Sequence, residues 1–320
     1  MKIVVLDGYT LNPGDNPWDE VARFGELTVY DRTPPELIAE RCQDAQIVLT
    51  NKAKLSAQTI AGLPALKLIC VLATGYNVVD LETSARLGIP VVNVPEYGSL
   101  SVAQHAIALL LELTNHVALY DAAVKRGEWS QAPDFTFMRL PLTELAGKSL
   151  GIVGLGRIGG KVAAVAHALG MEILAYSPRG RTAPEGIPVQ WLTLDQLFSR
   201  ADVVSLHCPL SADNEGMVDS ARLALMQPHA LLINTSRGAL VREADLAQAL
   251  ERGGIAGAAL DVSVHEPIAP DNPLLSAKNC IITPHVAWAS LAARSRLMAT
   301  TAANIQAFLA GQPQNVVNGL

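Results

Sequence analysis

Residues 149–177 read SLGIVGLGRIGGKVAAVAHALGMEILAYS. An apolar run of strand length, Leu150 to Leu155, has Gly154-x-Gly156-x-x-Gly159 set into its end. The spacing of Val162, Val165, Ala166 and Leu169 predicts a helix, and Gly170 stops it. Glu172 to Tyr176 reads as the next strand. Strand, glycine turn, helix and strand make one βαβ unit of dinucleotide-binding type. Gly154 permits the tight turn. Gly156 lets a pyrophosphate approach the backbone. Gly159 lets the helix pack closely on the sheet. The helix then presents unpaired N–H groups and its positive dipole end to the phosphates.

The rest of the chain agrees with an α/β architecture. It has 320 residues, enough for two ordinary domains, and half of them are apolar. A net charge of −6 without a basic run argues against nucleic acid. Polar residues interrupt even the most apolar helical stretch, Ser101 to Tyr120, so no membrane span is implied. The opening MKIVVLDG runs straight into a strand, with no leader pattern. Cys42, Cys70, Cys208 and Cys280 lack metal-ligand spacing and read as reduced thiols in a cytoplasmic protein.

Upstream, strand-length runs recur at Ile3–Leu6, Leu27–Tyr30, Ile47–Thr50, Leu68–Ala73 and Val91–Val94, with helical patterns such as Pro35–Cys42 and Leu81–Leu87 between them. Alternating strands and helices imply a parallel sheet. This block has no phosphate-type glycine turn. Thr74 and Gly75 follow a strand, where open α/β sheets bind ligands, although an ordinary turn fits equally. Ser101 to Lys125 reads as one long helix, apolar over most of its circumference and so covered on several sides. Residues 127–140, GEWSQAPDFTFMRL, form an irregular aromatic arm. Helix and arm together suggest a homodimer interface. Further strands are expected at Val203–Leu206, Leu231–Asn234, Ala256–Leu260 and Cys280–Thr283, and helices at Leu194–Arg200, Ser220–Leu225 and Glu243–Arg252. A last helix, Ser290 to Leu309, is expected to return to the first block. The domains are then 1–98 plus 288–320, discontinuous, and 99–287.

Polar clusters stand at the ends of the later strands. Ser177 takes the place where an NAD-preferring fold has an acidic residue, with Arg179 and Arg181 behind it. A hydroxyl and guanidinium groups suit a 2′-phosphate, so NADP is the preferred cofactor and NAD the alternative. His207-Cys208-Pro209 ends one strand. Asn234-Thr235-Ser236-Arg237 ends another, and Arg237 could hold a carboxylate through two parallel hydrogen bonds. Asp261, Glu266 and His285 complete the set. A carboxylate beside a histidine orients the ring and favours imidazolium. An Arg, a Glu and a His facing one cofactor make a hydride-transfer site.

These motifs resemble the D-isomer-specific 2-hydroxyacid dehydrogenase family over nearly the whole chain. GIVGLGRIGG is similar to its cofactor signature, LLINTSRGALV to the segment with its substrate arginine, LDVSVHEP to that with its acidic residue, and ITPHVAW to that with its catalytic histidine. TNKAKL, VLATGYNVVDLE, FTFMRLPLTELAGKSLGIVG and AGQPQNVVNGL look most like glycerate dehydrogenases, or hydroxypyruvate reductases.

The resemblance implies two Rossmann-like or flavodoxin-like parallel-sheet domains with the active site in the cleft between them. It implies NAD(P)H-dependent reduction of hydroxypyruvate or glyoxylate to D-glycerate or glycolate. In it Arg237 binds the substrate carboxylate, His285 exchanges the proton, and Glu266 pairs with His285. Thr74 and Gly75 would offer N–H groups to the substrate, and Lys52 a positive charge. Arg157 and Ile158 would cover the pyrophosphate. His207, Cys208, Pro209 and Asn214 would line the adenosine side. Asp261, with Thr235 and Ser236 nearby, would meet the nicotinamide. A broader 2-keto acid reductase acting on pyruvate- or phenylpyruvate-like acids is one alternative. A cofactor-sensing corepressor is another, against which the intact Arg237, Glu266 and His285 count.

Overall fold

The computed structural model describes residues 1–178, 180 and 182–320. The chain divides into two compact units, Met1–Gly98 with Trp288–Leu320, and Ser99–Ala287. In the first unit β1 (Lys2–Val5), β2 (Glu26–Val29), β3 (Ile47–Thr50), β4 (Leu68–Val71) and β5 (Val91–Val92) form one sheet in the order β2-β1-β3-β4-β5. Every pairing is parallel. Central β3 and β4 are buried along their whole length, which is why their sequences are apolar but for Thr50 at the end of β3. Edge strand β2 alternates between exposed and half-buried positions. The final helix, Leu291–Leu309, inserts Leu297, Met298 and Ile305 into the same core as Ile3, Ile47 and Leu68. Arg294 of that helix forms two parallel hydrogen bonds with Asp15, 2.6 and 2.7 Å. The guanidinium holds the Asp15 carboxyl below the usual carboxylate range.

The second unit carries seven parallel strands: β6 (Ser149–Val153), β7 (Glu172–Tyr176), β8 (Val189–Trp191), β9 (Val203–Leu206), β10 (Leu231–Asn234), β11 (Gly257–Leu260) and β12 (Cys280–Ile282). Their order is β12-β11-β10-β9-β6-β7-β8. The chain leaves β6 in one direction through β7 and β8, then crosses to β9 and proceeds the other way. The strand order therefore reverses between β6 and β9, the position where open α/β sheets bind ligands. Edge strand β8 escapes the sequence pattern because three residues after a proline are too short to show a period.

The single helix expected over Ser101 to Lys125 is two, Ser99–Asn115 and Val117–Lys125, bent by 57°. His116 between them adopts a left-handed backbone, φ 50°. Local side chains favour the break. Thr114 Oγ1 donates to the Leu110 carbonyl and Asn115 Nδ2 to that of Leu111, while the Ala118 N–H turns to the Glu112 carboxylate. The first helix, expected to be covered on several sides, is buried within this chain along one broad face. Val102, Ala106, Ile107, Leu110 and Leu113 are buried, but Leu100 and Leu111 are exposed. Each fully buried leucine here contributes roughly 1.5–3 kcal/mol. Among the described residues no single helix is long and apolar enough to cross a membrane.

Candidate active site

The register of the second sheet collects the polar clusters. Val153, Leu206, Asn234, Leu260 and Ile282 pair successively across five neighbouring strands, and Tyr176 pairs with Val153. They form the last common row of the sheet. The next residue on each strand is Ser177, Gly154, His207, Thr235, Asp261 or Thr283. Parallel strands all point the same way, so six separate sequence clusters emerge along one edge, about 4.8 Å from strand to strand.

The glycine turn sits at the point where the strand order reverses. Gly154 has φ +96°, and a Cβ there would lie 2.7 Å from the Cys208 backbone nitrogen. At Gly159 a Cβ would meet the Gly154 carbonyl oxygen at 2.5 Å. Among the described residues, nothing stands within 4 Å of a Cβ placed on Gly156. Two glycines therefore answer to packing, and the third faces open space. Gly156 caps the helix Arg157–Ala168, whose first internal acceptor bond comes from the Gly160 N–H. The N–H groups before it point out of the helix end towards that space. Further along the edge the buried Thr235 Oγ1 has no partner among the described residues, an orphan that suits a polar ligand atom. These features fit a dinucleotide.

Other expected cofactor residues are placed as follows. His207 is half-buried and its Nε2 lies 2.8 Å from Ser205 Oγ. Desolvation pulls its pKa down to about 4, so the ring is neutral near pH 7. Cys208 is buried, with its thiol pKa pushed up, and contributes backbone to the turn. Asn214 spends its side chain on its own loop, donating to the Pro209 carbonyl and accepting from the Ser211 N–H. Ser236 Oγ donates to the Cys208 carbonyl. Ser177 is half-buried. Arg179 and Arg181 lie outside the described residues.

Arg237 is exposed at the tip of a turn built by Asn234. The Asn234 side chain accepts from the Ser236 N–H and donates to the Arg237 carbonyl. Among the described residues no carboxylate pairs with the Arg237 guanidinium, whose one bond is to the Ser236 carbonyl. His285 Nδ1 lies 2.7 Å from Glu266 Oε2. A carboxylate only accepts, so Nδ1 carries a proton and Nε2 is the nitrogen left for a substrate. Both side chains remain partly open, 29% and 35% exposed.

His285 sits in a left-handed backbone conformation, φ +54°, which a β-carbon disfavours. Asp261, only 1% exposed, holds it there. Its carboxylate accepts from the N–H groups of Val286 (2.9 Å) and Ala287 (2.8 Å) and from the Thr283 hydroxyl (2.6 Å). His105 Nε2 lies 3.0 Å from Thr283 Oγ1. The single hydroxyl proton already goes to Asp261, so His105 is the donor in that bond. Ser101, one turn earlier on the same helix, donates to the Ala287 carbonyl. The sequence marks neither Ser101 nor His105 for this work, because their partners lie more than 170 residues away.

In the first unit Lys52 is exposed, in a loop held by Asp7. That carboxylate accepts from the N–H groups of Asn51, Lys52 and Ala53. Asp7 follows β1 and the loop follows β3, the two strands between which this sheet also reverses its order. Thr74 Oγ1 donates to the Val94 carbonyl. Among the described residues no acceptor faces the N–H of Thr74 or Gly75.

The fold and this row of residues define a nicotinamide-dependent oxidoreductase of CH–OH donors. Residues 107–287 match the model of the D-isomer specific 2-hydroxyacid dehydrogenase, NAD binding domain, and the chain belongs to the D-isomer specific 2-hydroxyacid dehydrogenase family. It is 49% identical to a hydroxypyruvate reductase of Blautia hydrogenotrophica, over 99% of this chain and 100% of the relative. It is 40% identical to a glycerate dehydrogenase of Methylorubrum extorquens, over 99% and 98%. Among solved structures it resembles an NADPH-dependent glyoxylate/hydroxypyruvate reductase from Sinorhizobium meliloti in complex with NADP and malonate. That match has a TM-score of 0.82, 30% identity, and covers 99% and 96% of the two chains.

Proposed function

We propose that this protein reduces small 2-oxo acids, hydroxypyruvate and glyoxylate foremost, to D-glycerate and glycolate, with NADP(H) preferred over NAD(H). The observation that carries the reading is the Glu266–His285 pair on the same sheet edge as Arg237, which has no carboxylate partner among the described residues. Arg237 has the charge and the planar fork to take the acid's carboxylate through two parallel bonds. A bound nicotinamide supplies the hydride to the carbonyl carbon. His285 in its imidazolium form donates the Nε2 proton to the carbonyl oxygen, which becomes the hydroxyl. Glu266 stays on Nδ1, fixing the ring and balancing its charge. The turn at Gly154, Gly156, Arg157, Ile158 and Gly159 would hold the pyrophosphate, and Thr235 and Asp261 would adjoin the nicotinamide. Thr74, Gly75 and Lys52 are proposed substrate contacts on the family resemblance.

The cofactor preference rests on Ser177, which follows β7 where a carboxylate would repel a 2′-phosphate. It also draws on the NADP complex of the Sinorhizobium relative. The test is a steady-state panel of hydroxypyruvate, glyoxylate, pyruvate and phenylpyruvate with NADPH and with NADH. The expected outcome is the highest kcat/KM for hydroxypyruvate, and at least a tenfold advantage for NADPH. A leading rate with phenylpyruvate would overturn the substrate reading, and a leading rate with NADH the cofactor reading.

A homodimer is proposed through residues 101–120 and the arm 127–140. In its support, Phe135 is 89% and Met138 84% exposed, and Trp129 of the same arm is exposed as well; large apolar side chains left open on one segment favour a partner surface. Sedimentation at micromolar concentration is expected to give twice the monomer mass, and a monomer would contradict it. The four free cysteines accord with a cytoplasmic location.

A further inference from the structure

The loop that carries Glu266 leaves β11 at Leu260 and turns into a short helix at Pro273–Ser276. One carboxylate holds both of its ends. Glu243, the first residue of the helix Glu243–Glu251, accepts through Oε1 from the Ser263 hydroxyl (2.7 Å) and the Val264 N–H (2.9 Å). Through Oε2 it accepts from Asn272 Nδ2 at 2.8 Å. Ser263 also faces the reaction side, where its N–H donates to Glu266 Oε1 at 3.4 Å. Ser263 thus links two carboxylates, and the second of them is bonded to His285. The same segment lies against the arginine turn: a Cβ on Gly238 would fall 2.0 Å from the Ser263 carbonyl carbon. Arg237 and Glu266 are therefore spaced through a junction that Glu243 closes.

We propose that Glu243 is a positioning residue for the reaction, a clasp that fixes the Glu266 loop and through it the orientation of His285. The proposal rests on the hydride-transfer reading given above. An acidic residue in the first turn of a helix is favourable anywhere through the dipole, but that general effect needs neither of the two loop ends. All three bonds run towards Glu243, and each donor is fixed in kind. Glutamine at this position presents one acceptor oxygen and one NH₂, so it cannot serve both ends.

The experiment compares Glu243→Gln, Asn272→Asp and the double variant Glu243→Gln/Asn272→Asp with wild type. In the double variant the amide oxygen accepts from Ser263 and Val264, and the amide N–H donates to the introduced carboxylate. The other oxygen of that carboxylate still accepts from the Leu274 N–H, as Asn272 Oδ1 does now. The single Asn272→Asp change sets two carboxylates face to face.

For hydroxypyruvate reduction, Glu243→Gln is expected to lower kcat about tenfold to a hundredfold, the cost of a small misplacement, with KM and NADPH affinity within about threefold. Asn272→Asp is expected to be at least as damaged, and the double variant to recover kcat to within about threefold of wild type. Hydrogen exchange read in parallel, with no substrate, is expected to rise about tenfold over residues 262–272 in the single variants and to return in the double variant. An unchanged kcat in Glu243→Gln would overturn the proposal, as would a double variant that fails to recover or to fold. If wild type reduces none of the acids, the substrate reading fails while the exchange measurement still decides the clasp.

Discussion

Replacing His285 by alanine is expected to lower kcat for hydroxypyruvate reduction about a thousandfold while NADPH affinity changes less than threefold. The magnitude is that of removing a positioned proton donor, which contributes about 10²–10⁴-fold. The separation of the two effects follows from the fold. His285 is on the turn after β12, whereas the glycine turn follows β6, four strands away in the sheet. Because Asp261 holds the turn through backbone N–H groups of Val286 and Ala287, deleting the imidazole leaves that scaffold in place. Stopped-flow reduction and equilibrium binding of NADPH measure the two quantities. A variant retaining a tenth or more of wild-type turnover at neutral pH would show that His285 is not the proton donor.

Arg237→Ala is expected to act mainly on the acid. Two charge-assisted hydrogen bonds contribute about 1.5–3 kcal/mol each net of desolvation, so a loss of roughly 3–4 kcal/mol, near the low end of their sum, raises KM by about 10²–10³-fold. A smaller fall in kcat accompanies it, since the same cation favours charge developing on the carbonyl oxygen. Arg237→Lys is expected to lie between the two, because a point charge replaces a planar fork. The Asn234 side chain bonds only the turn's backbone, so the turn survives either change. KM and kcat within threefold of wild type in Arg237→Ala would refute the carboxylate assignment.

What could be read from the sequence was whatever repeats locally. Val203–Leu206 and Leu231–Asn234 stand where their apolar runs place them, because strands buried along their whole length read as short runs with at most one polar residue, Ser205 in the first and Asn234 closing the second. The polar residue that stops each run opens a candidate cluster, so Thr235, Arg237 and Asp261 were visible before any fold was known. The break at His116 was not visible, since Ser101–Lys125 keeps its apolar spacing through the bend. Neither were the groups that hold the site in shape. Asp7 grips residues 51–53, Glu243 grips Ser263 and Asn272, and Asp261 grips Val286 and Ala287. Each is a carboxylate answering backbone or side-chain donors 20 or more residues away, and no short-range pattern announces such a pair. Glu243 in sequence is only an acidic residue in a helix's first turn.

The most direct measurement of the central claim is the product itself. Wild-type protein is incubated with hydroxypyruvate and NADPH, oxidation of the cofactor is followed optically, and the glycerate is resolved by chiral chromatography. One equivalent of D-glycerate per NADPH consumed is the expected result. L-glycerate, or NADPH that stays reduced in the presence of hydroxypyruvate, would contradict it.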